Sequence, residues 1–157
     1  MENQLTILAD SLEKKHQVLL QIQEYNKRQE QAFTEEPVDI SKFDVAVEEK
    51  GKLIEELVRL DDGFEILYAK LADQLKENRV KYAVQIRTIQ QQIAVITELS
   101  MSIQAQEKRN KSLIEQYFSK ERATLRQKRK TSKAAYDYYK KVNNVAYAPP
   151  QFMDSKK

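Results

Sequence analysis

Apolar residues recur along most of this chain at alternating steps of three and four, the pattern of helices packed along a shared seam. The longest uninterrupted stretch begins near Asn78, where Tyr82, Ile86, Ile89, Ile93, Ile96, Ser100 and Ile103 keep the step. Neither Gly nor Pro, the two strongest helix breakers, occurs from there to Val142. The spacing therefore predicts one helix over about residues 79–142. Unbroken, it would span roughly 90 Å at ~1.5 Å per residue, so it either bends or carries its end beyond the bundle as an arm. Its seam thins after Ile103: residues 104–111 read as polar, Leu113, Ile114, Tyr117, Phe118 and Leu125 return at helical spacing, and 126–133 holds no apolar residue.

Two earlier helices read as partners for it. The first is expected over about 3–33, with Leu5, Leu8, Leu12, Leu19 and Ile22 on one stripe and Asn3 or Thr6 as cap. Lys15, Asn26 and Gln29 interrupt this stripe, so its second half is expected to be less buried. Residues 34–39 break the pattern, because Pro37 has no amide donor and biases Glu36 away from helical geometry. The second helix is expected over about 41–76, with Ser41 and Asp44 as a capping box or Asp39 as an alternative start. It carries Phe43, Val47, Leu53, Ile54, Leu57, Leu60, Phe64, Leu67, Leu71 and Leu75, and the phase runs unbroken through Gly63. The polar gap Lys76-Glu77-Asn78-Arg79 marks a reversal; one helix running straight through it would instead favour a homodimer.

Composition agrees with this architecture. Only two Gly and three Pro occur in 157 residues, too few for a sheet protein with frequent turns, and 32% of residues are charged. The fold class is all-α: an antiparallel bundle or coiled coil of three long helices over 1–142, the third extending into a C-terminal arm, then a flexible tail over 143–157. The absence of Cys excludes disulfides, thiolate metal sites and cysteine nucleophiles. No apolar run approaches the ~20 residues of a membrane span, and the first residues lack the pattern of a signal peptide, so a cytoplasmic protein without membrane contact is expected. The charge is asymmetric. Residues 1–77 hold 18 Asp/Glu against 10 Lys/Arg, whereas 78–157 hold 6 against 17, which favours packing of the acidic half on the basic helix.

Chemistry-bearing patterns are sparse. His16 is the sole histidine and has no partner at metal-ligand spacing. Glu48-Glu49, Glu55-Glu56 and Asp61-Asp62 recur about every seven residues, as a solvated face would. With no Glu-x-x-His pair, phosphate loop or nucleophile elbow, neither an enzyme nor a cofactor is expected. The basic run from Lys120 to Lys133 admits a nucleic-acid-binding coiled coil, but its charges are not confined to one face. The aromatic residues say more: Tyr117, Phe118, Tyr136, Tyr138, Tyr139, Tyr147 and Phe152 all fall in the last 41 residues. Such residues favour interfaces if they extend beyond the bundle; the alternative is a C-terminal helix folded back as a fourth bundle helix.

The chain resembles the FlgN-type flagellar export chaperones, especially their Firmicutes members, over about residues 5–140. The similarity is carried by Leu12-Glu13 with Leu19-Leu20, Lys50-x-x-Leu53-Ile54-x-x-Leu57, Leu60-Asp61-Asp62-Gly63-Phe64, Ile89 through Ile96, and Arg109-Asn110-x-x-Leu113-Ile114. The tail Tyr136-Asp137-Tyr138-Tyr139 with Pro149-Pro150-Gln151-Phe152 is similar to tails of clostridial relatives. The resemblance implies a non-enzymatic cytoplasmic chaperone that binds the terminal amphipathic helices of hook-associated (hook–filament junction) proteins and delivers them to the export apparatus. It places partner binding on Tyr117, Phe118, Leu125, Tyr136, Tyr139 and Val142, with Arg122, Arg126, Arg129 and Lys133 steering acidic client segments. Within the same machinery, a coiled-coil export component of the FliJ type is the alternative. Its two-helix form fits the Pro37 break less well.

Overall fold

A computed structural model of the protein describes residues 1–120, 135–140 and 147–153. Three helices dominate: α1 (Glu2–Ala32), α2 (Ile40–Glu77) and α3 (Ala83–Lys120), with no strand among the described residues. Contacts across the helices give their directions. Ser11, Lys15 and Asn26 of α1 meet Leu60, Asp61 and Lys50 of α2, so α2 runs antiparallel to α1. Gln92 reaches the Ala9 carbonyl at 3.1 Å and Asn110 the Asn26 carbonyl at 3.0 Å, so α3 runs parallel to α1. The bundle is therefore up-down-up, with α2 and α3 both laid on α1.

Local chemistry sets the boundaries. The Asp39 side chain accepts from the Lys42 amide at 3.0 Å and caps α2, so the cap is Asp39 rather than Ser41. The Asp39 amide donates to the Ala32 carbonyl at 3.0 Å, closing the connection over Pro37. Helix α1 starts at Glu2 without a side-chain cap; Thr6 Oγ1 instead bonds back to the Glu2 carbonyl at 3.1 Å. Asn78 ends α2, its Nδ2 donating to the Gln74 carbonyl at 2.7 Å, and residues 78–82 form the turn. The chain thus reverses there without Gly or Pro, which excludes one helix running from α2 into α3.

The buried seams differ from an apolar-only reading. In α1 the inward positions run Leu5, Leu8, Leu12, Lys15, Leu19, Ile22, Asn26 and Gln29, an unbroken 3-4 step through every polar interruption. The second half of α1 is therefore as buried as the first. In α2, Lys50 is buried and Asp61 half-buried at seam positions, while Leu53, Leu60 and Leu67 lie half-buried on the flank. In α3 the step continues past Ile103 through Glu107, Asn110 and Ile114. The physical reason is common to all three. A polar side chain can hold a seam position when another helix supplies its partner, and those partners are distant in sequence.

The C-terminal residues also depart from expectation. Residues 135–140 are helical and bury Ala135 and Tyr138, and Tyr147 and Met153 are buried as well. Phe152 packs at a tilt on Tyr68 with ring centroids 4.8 Å apart and lies 6.3 Å from Phe64, both on α2. Gln90 of α3 donates to the Met153 carbonyl at 3.1 Å. Residues 147–153 are thus docked rather than a free tail. Tyr138 hydrogen-bonds Glu107, whereas one straight helix would part those residues by about 46 Å. The expected single helix over 79–142 is excluded by that contact.

Gly51 and Gly63 lie inside α2, and a Cβ at either would meet nothing within 4 Å. Gly63 is thus an open helical position and not a close contact. Gly51→Ala and Gly63→Ala should each raise stability by roughly 0.5–1 kcal/mol through lower unfolded-state entropy. Urea unfolding followed by helical circular dichroism checks this, with an unchanged or lower midpoint counting against it.

Candidate functional site

The polar seam residues meet in one layer. Lys50 of α2 is fully buried, and its Nζ donates to Asn26 Oδ1 of α1 at 2.7 Å and to Glu107 Oε1 of α3. The same ammonium lies 4.2 Å from the centre of the Tyr138 ring, a cation–π contact. Glu107 Oε2 accepts from the Tyr138 hydroxyl and, at 3.4 Å, from the Tyr147 hydroxyl. Asn26 donates to Gln106 at 3.2 Å, and Asn110 donates to the Asn26 carbonyl and, at 3.4 Å, to Gln29 Oε1. The Glu107 carboxylate of α3 thus ties α2 to the C-terminal segment, and α1 joins through Asn26 on the same Lys50 ammonium. A second pair sits about three turns away along α1, where Lys15 Nζ bonds Asp61 Oδ1 at 2.7 Å.

Burial sets the titration of this layer. Desolvation lowers the Lys50 ammonium from 10.5 to about 8, with the Glu107 carboxylate working in the opposite sense. Burial, reinforced by the negative Glu107, pushes the hydroxyls of Tyr138, Tyr139 and Tyr147 up. Asp61 is raised by its own burial, against the pull of Lys15. The Gln29 amide stands beside the Tyr139 hydroxyl and opposes, in part, the upward push of burial there. Lone pairs and protons at Glu107 and Lys50 are consumed by packing contacts, so this layer is a structural hub. Among the described residues no group of three His, Asp or Glu side chains is placed to hold a metal ion.

Over the hub lies an open groove between α3 and the C-terminal segment. One hollow of about 500 Å³ is lined by Ile114, Phe118, Ala135, Tyr136, Tyr139 and Lys140, among others. A second of about 750 Å³ shares Lys111 and Tyr139 with it and continues past Lys108 and Met101. Of the residues expected to bind a partner, Phe118, Tyr136 and Tyr139 come together here. Tyr136 is 66% exposed, while Tyr139 is half-buried toward the hub. Tyr117 turns the other way, packing edge-on against Phe33 of α1 at 6.1 Å. Leu125, Val142 and the basic residues Arg122, Arg126, Arg129 and Lys133 lie outside the described residues.

Lys50, Glu107, Asn26 and Asn110 were not among the residues expected to form a site. The available signal was the position and not the residue type: counting the 4-3 step regardless of polarity puts all four on the seams. No family model, curated protein or solved structure matches the chain. Fold and site alone define the class, a three-helix bundle with an open groove along its third helix. Among the described residues no helix is long and apolar enough to cross a membrane.

Removing one partner of the hub strands a buried charge. Glu107→Leu should cost about 3–5 kcal/mol, and adding Lys50→Met should recover most of that loss. Urea unfolding of both variants is the check; a double variant no more stable than Glu107→Leu would contradict it. The hub also predicts a pH profile. From about 8 up to the onset of tyrosine ionisation near 10.0, the unfolded chain holds the Lys50 proton and the folded chain does not, so stability rises with pH there. Above 10.0 the unfolded tyrosines ionise while the buried ones keep their protons, so stability falls. The rising limb should be missing in Lys50→Met, as measured by denaturation midpoints across pH.

Proposed function

We propose that this protein is a non-enzymatic, cytoplasmic export chaperone of the FlgN type, holding the terminal amphipathic helices of flagellar hook-associated proteins. The observation that carries the reading is the open cleft in which Phe118, Tyr136 and Tyr139 converge between α3 and residues 135–140. Tyr presents a large apolar area with a hydroxyl that tolerates water, which suits a surface exposed alone and covered in a complex. The antiparallel bundle supports the same reading, because parallel ridges along α3 can receive a helix as another helix of the bundle would. The sequence resemblance supplies the identity of the client and its delivery to the export apparatus. A FliJ-type two-helix coiled coil is less favoured, since three helices pack together here.

Titration calorimetry of the full chain with terminal helices of a hook-associated protein tests this. The wild type should bind, and Tyr136→Ala with Tyr139→Ala should weaken binding at least about tenfold with helicity preserved, as expected for aromatic anchors. No binding by the wild type, or equal affinity in the variant, would remove the reading or its site, respectively.

A further inference from the structure

The groove has a polarity of its own. Met101, Gln104, Lys108, Lys111, Glu115 and Phe118 line its two hollows and recur at steps of 3-4-3-4-3, one residue beyond the α3 core seam. This second stripe has apolar residues at both ends, Met101 at 65% exposure and Phe118 half-buried, with two cations between them. Lys140, from the opposite wall, adds a third cation. Among the described residues none of the three lysines makes an ion pair, whereas neighbouring Arg109 is occupied by Glu30 across the bundle. Glu115 is the anion on this stripe, placed toward the Phe118 end. From Met101 to Phe118 the stripe runs about 26 Å, the length of a helix of roughly five turns.

We propose that this stripe is the docking surface for a partner's amphipathic helix whose seam reads apolar–acidic–apolar, with carboxylates in its central turns facing Lys108, Lys111 and Lys140. The 4-3 spacing is what lets side chains of a second helix interdigitate along the whole length. The apolar ends supply burial, and the central lysines select charge and register, since a helix shifted by a turn or more would set apolar residues against ammonium groups. A nucleic-acid strand is the poorer fit, because the cations are few and the ends of the stripe are apolar. The proposal rests on the chaperone reading and adds the chemistry by which a client is chosen.

The test uses the full chain and a fluorescein-labelled 21-residue helical peptide with Leu at its end turns and three Glu in its middle turns. At low salt its anisotropy should report binding at least ten times tighter than that of the same peptide with Gln for Glu. Lys108→Glu with Lys111→Glu changes two exposed positions, so helicity should be unchanged, and the preference should invert toward a Lys-substituted peptide. Equal binding of the Glu and Gln peptides, no binding of either, or tighter binding of a single-stranded oligonucleotide overturns the proposal. Terminal helices of hook-associated proteins, titrated in parallel, separate the two readings. If they bind wild type and the double variant equally, the stripe is wrong and the chaperone stands. If the Glu peptide binds as expected and no hook-associated helix does, the stripe stands and that client is wrong.

Discussion

Glu107 accepts from Lys50 of α2 and from Tyr138 and Tyr147 of the C-terminal segment, and Asn26 of α1 accepts from the same Lys50. A carboxylate and an ammonium removed from water are expensive unless their remaining lone pairs and protons are matched. Each of these partners is therefore held in place by the requirement of the others. The apolar seams above and below supply non-directional burial and could slide by a heptad with little change in area. The hub cannot slide, because a shifted Lys50 would face Ile114 or Ser100 instead of Glu107. A polar group at a seam position is a known device for setting register, and here it also fixes where the C-terminal segment lies.

That placement creates the groove. Tyr138 and Tyr147 face inward to the carboxylate, and Phe152 packs against Tyr68 of α2, so the segment stands as a wall opposite α3. Helix periodicity then turns Tyr136 outward, since it lies two residues before Tyr138 on a helical turn. The same hub thus buries one tyrosine and exposes its neighbour. On the facing wall, the stripe one residue past the α3 seam exposes Met101, Lys108, Lys111 and Glu115, with Gln104 and Phe118 half-buried between and beside them. Structure and candidate function are linked through a single buried charge.

The aromatic-rich C-terminus divides into two roles that its composition does not distinguish. Tyr138, Tyr147, Phe152 and Met153 belong to the interior. Tyr136, Phe118 and the outer face of Tyr139 line open space. Beneath this surface the Tyr139 hydroxyl stands beside the Gln29 amide, whose oxygen accepts from Asn110.

The sequence by itself determined the helical class, the 3-4 period of each long segment, the break at Pro37 and the continuity of α2 through Gly63, but not the course of the chain after α3. These follow from local sterics and from apolar repeats within one segment, which neighbouring residues specify without help from afar. It also pointed to the C-terminal aromatics as unusual. Only the tertiary structure decided what Lys15, Asn26, Lys50, Asp61 and Glu107 do. In isolation each reads as an interruption or as solvated surface, because a buried charge is tolerable only beside its partner. Lys50 and Glu107 are 57 residues apart, and Glu107 and Tyr138 are 31 apart. No local pattern encodes such pairings, and the docking of residues 147–153, which depends on them, was hidden for the same reason.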